Sequence, residues 1–228
     1  MTNRTLPLTE RDHQLVSDAV AAAEAHSSGE IVTIVTDSSD DYGDVRLAWS
    51  AVASFMALGA IAMFPAFWTA RFGAVLGRWN HEWDAPTAFA LAALVATLKF
   101  AAVWLIQSWR PLRLWLVPSP VKTRRVHEQA IAAFRIGAER RTHGRTGILI
   151  YLSLAERRAE IVADAAINAL VDESVWGEAM LAMLAHLRGG KIADAMVAAI
   201  EQVGTVLARH LPHDGPDTNE LPDRLIEI

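Results

Sequence analysis

Between Leu47 and Trp68 the chain reads LAWSAVASFMALGAIAMFPAFW, 22 residues without one charged side chain. An apolar run of about eighteen residues or more is long enough to cross a bilayer as a helix. A second run, PTAFALAALVATLKFAAVWLI from Pro86 to Ile106, has 21 residues and a single charge at Lys99. At about 1.5 Å per residue it extends about 31 Å, against a hydrocarbon core of about 30 Å. Seven of the eight tryptophans lie between residues 49 and 115, with Trp49 and Trp68 bracketing the first run and Trp104, Trp109 and Trp115 ending the second. Indole rings favour headgroup depth, where one edge is apolar and the other wet. The expectation is a transmembrane hairpin over residues 47–115, with spans at about 47–68 and 86–106.

Charge follows the same division. Residues 1–46 hold three basic and nine acidic groups, whereas residues 47–121 hold five and two. Arg46, Arg110, Arg113, Lys122, Arg124 and Arg125 flank the spans on the terminal side, against Arg71 and Arg78 in the connecting stretch. The positive-inside rule then puts both termini in the cytoplasm of a bacterium, with two passes through the inner membrane. The first residues, MTNRTLPLTERDHQ, have no apolar core of the kind a cleaved signal peptide needs. Lys99 lies on the half of its span nearest the basic flank, where its ammonium can snorkel to the headgroups.

The flanking segments have the periodicities of a soluble α/β domain. Thr9 and Asp12 form a capping-box pattern ahead of Leu15, Val16, Ala19, Val20 and Ala23. The stretch HSSG (His26–Gly29) ends that helix with glycine at its cap, and IVTIVT (Ile31–Thr36) reads as a strand. One helix and one strand cannot bury both their faces, so this piece needs a partner. Beyond the hairpin, VPSP (Val117–Pro120) breaks the chain and a helix is expected over 121–142. Thr146–Ser153 and Arg158–Ala163 read as two strands around the turn LAER. Helices follow over about 175–187, with Ser174 as N-cap, and over about 191–210, with a stripe of Ile192, Met196, Ile200, Val203 and Leu207. The domain plan is residues 1–46 for the first helix and strand, 47–115 for the hairpin, and 116–212 for the rest of one domain. Residues 213–228 remain as a loosely docked tail. The fold class is a small α/β sandwich, a sheet covered by helices.

SGEIVTIVTDSSDDYGDVRLAW (Ser28–Trp49), RTGILIYLSLAERRAEIVAD (Arg145–Asp164), the helical stretch Val175–Pro212 and NELPD (Asn219–Asp223) occur in one order. In this the chain resembles the TPM domain family, and more narrowly the bacterial branch in which a transmembrane hairpin interrupts the TPM-like domain. The resemblance implies a compact α/β sandwich at a membrane and a role in repair or assembly of membrane protein complexes. For some members it implies weak acid phosphatase activity or calcium binding. Where the family's better-known members carry a GxGLEG stretch after the second hairpin strand, this chain has ADAAINALVD (Ala163–Asp172). That departure weakens the phosphatase label and keeps only Asp164 and Asp172 as carboxylates there.

Two clusters are candidates for chemistry. DSSDDYGD places Asp37, Asp40, Asp41 and Asp44 just after a strand, where oxygen ligands could hold Ca²⁺ or Mg²⁺, although the spacing is not that of an EF-hand. A metal-dependent phosphatase would use this loop with a nearby arginine. Arg110, Arg113, Arg124 and Arg125 near the bilayer, and Arg157 and Arg158 in the strand turn, are candidates for an anion or anionic lipid. Arg140, Arg141, His143 and Arg145 form a further basic group at a helix end. There is no Cys, no Gly-rich phosphate loop, no HExxH and no GxSxG, and the net charge is −5. These features exclude thiol chemistry and argue against nucleic acid as a partner. The expected partners are membrane lipids and other membrane proteins. The leading expectation is a non-catalytic interaction, quality-control or assembly module, with the phosphatase and a lipid-binding adaptor as alternatives.

Overall fold

Alternating side chains on two strands organise the sheet-containing unit. The structure, a computed structural model, describes residues 8–77, 83–137, 146–212 and 224–228. Strand β1 (Glu30–Thr36) pairs in parallel with β2 (Gly147–Ser153), Ile31 facing Ile148 and Val35 facing Leu152. Strand β3 (Arg158–Ala163) returns antiparallel along β2, and β4 (Ile226–Glu227) adds in parallel to the free side of β1. The order is β3-β2-β1-β4. All seven residues of β1 and of β2 are buried, because helices cover both faces.

Each face follows the period of two. Ile31, Val35, Ile148, Ile150 and Leu152 point to α1 (Glu10–Glu24), α8 (Glu173–Leu187) and α9 (Ile192–His210), with Val16, Val20, Met196, Ile200 and Leu207 packed in the same core. Val32, Ile34, Leu149 and Tyr151 point the other way, onto Val126, Ala130 and Phe134 of α6 (Ser119–Gly137). A parallel pair needs a long crossover, and here residues between Thr36 and Gly147 supply it, apolar helices included.

The first helix has the expected capping box, with Thr9 and Asp12 bonding each other's backbone. The stripe expected on the last helix is its buried face, Met196, Ile200, Val203 and Leu207. Several local expectations are corrected. Helix α1 ends at Ala25 in ordinary right-handed geometry, so Gly29 is not its cap. Gly29 instead gives room to Leu207, whose methyl group lies 3.0 Å from where a Cβ would sit. The N-cap of α8 is Asp172, whose carboxylate accepts from Ser174 N, so Ser174 already lies inside the helix. A short helix, α7 (Ala165–Asn168), fills the place of the missing glycine-rich stretch. The expected tail ends in a strand, since Ile226 and Glu227 pair with Ile34 and Val35 and Leu225 enters the core.

A second compact unit comprises Asp41–Pro118. Its helices α2 (Gly43–Met63) and α4 (Ala85–Ile106) pack side by side and are each long and apolar enough to cross a membrane. The first apolar helix starts and ends earlier than the sequence reading placed it. Phe64 leaves helical geometry and Pro65, which has no N–H to donate, opens a new helix, α3 (Pro65–Leu76). A short helix, α5 (Arg110–Leu116), follows α4 with Pro111 in its first turn.

Candidate functional site

The carboxyl ends of β1 and β2 lie side by side, and the buried polar residues Thr36, Ser153 and Glu156 gather there. In open α/β sheets this is the edge at which ligands are usually bound. The turn Leu154–Arg157 joins β2 to β3 and is tied to the segment after β1 by backbone bonds from Leu154 N to Thr36 O and from Ala155 N to Asp37 O. Glu156, 6% exposed, folds back beneath it. Its carboxylate accepts from Ser38 Oγ at 2.8 Å, from Ser39 N at 3.3 Å and from Ser153 Oγ in a short bond. Ser39 Oγ lies 3.1 Å from the hydroxyl of Tyr151, a fully buried side chain. Burial pushes the Tyr151 phenol above its ordinary value, the Ser39 bond opposes this, and the nearby Glu156 charge adds to it.

This network fixes the turn and leaves Arg157 outside it. Arg157 sits at φ +53°, the left-handed region that glycine or asparagine usually supplies. Its side chain borders a cleft of about 600 Å³ together with Arg188, the C-cap of α8. The cleft wall is Leu152, Leu154, Leu184, Leu187 and Ile192. Neither arginine forms an ion pair with a described residue. Gly190, at φ +72°, turns the chain from α8 into α9 at the same rim.

The acidic loop is divided. Asp40 pairs with Arg125 at 3.0 Å in the sheet-containing unit, while Asp41 accepts from Gly43 N at 2.9 Å at the start of α2. Asp37 lends its carbonyl to the β2–β3 turn, and Asp44 lies in the first turn of α2. Among the described residues no group of three or more His, Asp or Glu side chains gathers to hold a metal. Asp164 and Asp172 have structural partners: Asp164 Oδ2 accepts from Gly147 N, and the bonds from Ser174 hold the Asp172 carboxyl below its usual range.

The arginines separate likewise. Arg158 donates to Ser119 Oγ at 2.7 Å, and Arg124 lies 3.6 Å from Glu128. Arg110 and Arg113 belong to α5 in the other unit. Arg140, Arg141, His143, Arg145 and the NELPD segment lie outside the described residues.

One polar group was missed in the sequence reading. Arg46 on α2 reaches the end of α4, donating through Nε and Nη2 to the Trp104 carbonyl at 3.0 and 2.6 Å and through Nη2 to Ser108 Oγ at 2.8 Å. Its guanidinium also lies 4.0 Å from the Trp104 ring centre. Gln107, almost fully buried, donates to Arg46 O at 3.2 Å, and Ser54 Oγ bonds Ala96 O farther along the pair. Short polar side chains that satisfy one another are the usual fastening between helices in an apolar medium.

Among the described residues, a mixed four-stranded sheet with helices on both faces, with β2 and β3 joined by a tight turn, is the class of fold defined here. Residues 118–206 match the family model of the TPM domain. The fold is similar to that of BA42, a protein from the psychrophilic bacterium Bizionia argentinensis solved by NMR. The two share 18% identity over 100% of this chain and 99% of that one, with a TM-score of 0.56. No curated protein matches the chain.

Proposed function

We propose that the chain is an integral protein of the bacterial inner membrane whose TPM domain faces the cytoplasm. There it works as a non-catalytic interaction module in quality control or assembly of membrane protein complexes. The observation that carries the membrane part is the state of α2 and α4. Both are apolar over their length, they fasten to each other through Arg46, Ser54 and Gln107, and yet only 6% of each apolar stretch is buried within the chain. Phe55, Met56, Phe89 and Leu105 are each about 70% exposed. A soluble protein would leave such a surface in water at about 25 cal/mol per Å², whereas a bilayer covers it.

The interaction reading is supported by the way the polar groups at the strand ends are used. The Glu156 carboxylate and its serine partners hold the turn and segment together, so the site's rigidity serves presentation of a surface. Leu181, 68% exposed on α8 and one turn before the cleft-lining Leu184, provides an apolar contact for a partner. Photo-cross-linking from position 185, exposed one turn along α8 from Leu181, tests this in native membranes. The reading expects a discrete adduct with another membrane protein that disappears with Leu181→Glu. Adducts no different from those at Glu201, on α9, would contradict it.

A further inference from the structure

The cleft at Arg157 and Arg188 has the lining of a ligand site, and this can be argued separately from the interaction role. We infer that it binds a small amphipathic anion: a phosphate or carboxylate head held by the two guanidinium groups, with a hydrocarbon part along the leucine wall. Three observations lead there. The first is charge: two arginines stand at the rim, no described acidic residue lines the cleft, and neither arginine pairs with a described carboxylate. Paired guanidiniums are well suited to an oxyanion, which they grip with parallel N–H bonds. The second is shape, since about 600 Å³ of mainly aliphatic lining is typical of pockets for small molecules rather than for a bare inorganic ion.

The third is backbone conformation. The turn places residue 157 at φ +53°, a conformation that glycine or asparagine adopts at lower cost than arginine, and arginine gains nothing locally. The neighbouring residue, Glu156, is committed to Ser38, Ser39 and Ser153, which anchors the turn whatever residue 157 is. Arginine at this position therefore serves something outside the turn, and the cleft is what it borders. Arg188 has a similar freedom, being exposed at the end of α8 with only its backbone N–H engaged.

The conformation also separates binding from folding. Arg157→Gly relieves the left-handed strain, so it keeps or raises stability while removing half of the clamp. The experiment titrates octyl phosphate and octanoate into the full-length chain held in zwitterionic nanodiscs, with empty nanodiscs subtracted. Both anions should bind, and Arg157→Gly and Arg188→Gln should each weaken binding about tenfold or more, as loss of a charge-assisted bond implies. Inorganic phosphate should bind markedly more weakly than octyl phosphate. A second arm replaces part of the zwitterionic lipid with phosphatidylglycerol. Weakened octyl phosphate binding in that arm assigns the occupant to a bilayer headgroup, and unchanged binding assigns it to a soluble amphiphile; both keep the clamp. Wild-type affinity in both variants, or equal binding of octyltrimethylammonium, would overturn the inference, as would equal binding of inorganic phosphate. Octyl phosphate that fails to bind the wild-type chain would overturn it as well.

Discussion

Two glycines in helix interiors should respond in opposite directions to the same substitution. Gly204 of α9 faces α1, and a Cβ placed on it would lie 2.6 Å from the Ala23 Cβ and 3.3 Å from its Cα. Relaxed carbon contacts are about 3.5–4.0 Å, so Gly204→Ala must push the two helices apart by close to 1 Å. Overpacking of this kind costs about 1–3 kcal/mol, and it is offset by about 1 kcal/mol of helix propensity gained over glycine. The net expectation is a loss of up to about 2 kcal/mol. At Gly177 of α8 a Cβ would meet nothing within 4 Å, so only the propensity gain remains, about 0.5–1 kcal/mol of stabilisation. Pulse proteolysis of both variants across a urea series reads these stabilities directly. The contrast matters because α1 precedes the apolar helices in sequence and α9 follows them. A Gly204→Ala chain as stable as Gly177→Ala would refute the docking of α1 on α9, and with it the single interrupted domain.

Three further outcomes are expected. Glu156→Ala removes the acceptor of the buried Ser153 hydroxyl and of the half-buried Ser38 Oγ and Ser39 N, and should cost about 2–4 kcal/mol, read as a lowered urea midpoint. Tyr151 has its phenol raised chiefly by burial, so above about pH 10 the unfolded chain loses this proton before the folded one does and stability falls as pH rises. Tyr151→Phe should flatten that alkaline fall, measured as urea midpoints from about pH 8 to about pH 11, at a neutral-pH cost of about 1 kcal/mol for the Ser39 bond. Ending the chain at Arg224 removes Leu225 from the core, the Glu227–His13 contact of 2.7 Å and the strand covering β1. It should cost about 3 kcal/mol and produce aggregates on size exclusion from the bared edge.

What was legible in the sequence is what has a period or a local partner. Ile31–Thr36 and Thr146–Ser153 announce buried strands by their β-branched runs, and Thr9 and Asp12 lie within one turn of each other. The two apolar runs are unmistakable by length. Features whose partners lie far along the chain were not legible. Ile226 and Glu227 make a strand only because β1 offers a free edge some 190 residues earlier, and a two-residue strand has no pattern of its own. Arg46 counted as a flanking charge, yet its partners are Trp104 and Ser108. The arginine pair at the cleft is similar: Arg157 stood out in the turn, but Arg188 meets it only through the packing of α8 beside β2. The signal available for Arg157 was its place at the end of a four-residue strand turn, where glycine would be ordinary.

Because the chain has no native cysteine, a single introduced thiol can report which side of a membrane each unit faces. The measurement is labelling of Val75→Cys, at the end of α3, and Thr205→Cys, exposed on α9, by an impermeant maleimide on intact and permeabilised cells. The membrane-hairpin account predicts that position 75 labels in intact cells and position 205 only after permeabilisation. Labelling of position 205 in intact cells would reverse the orientation. Protection of both positions, together with release of the chain from membranes by carbonate, would contradict the hairpin itself.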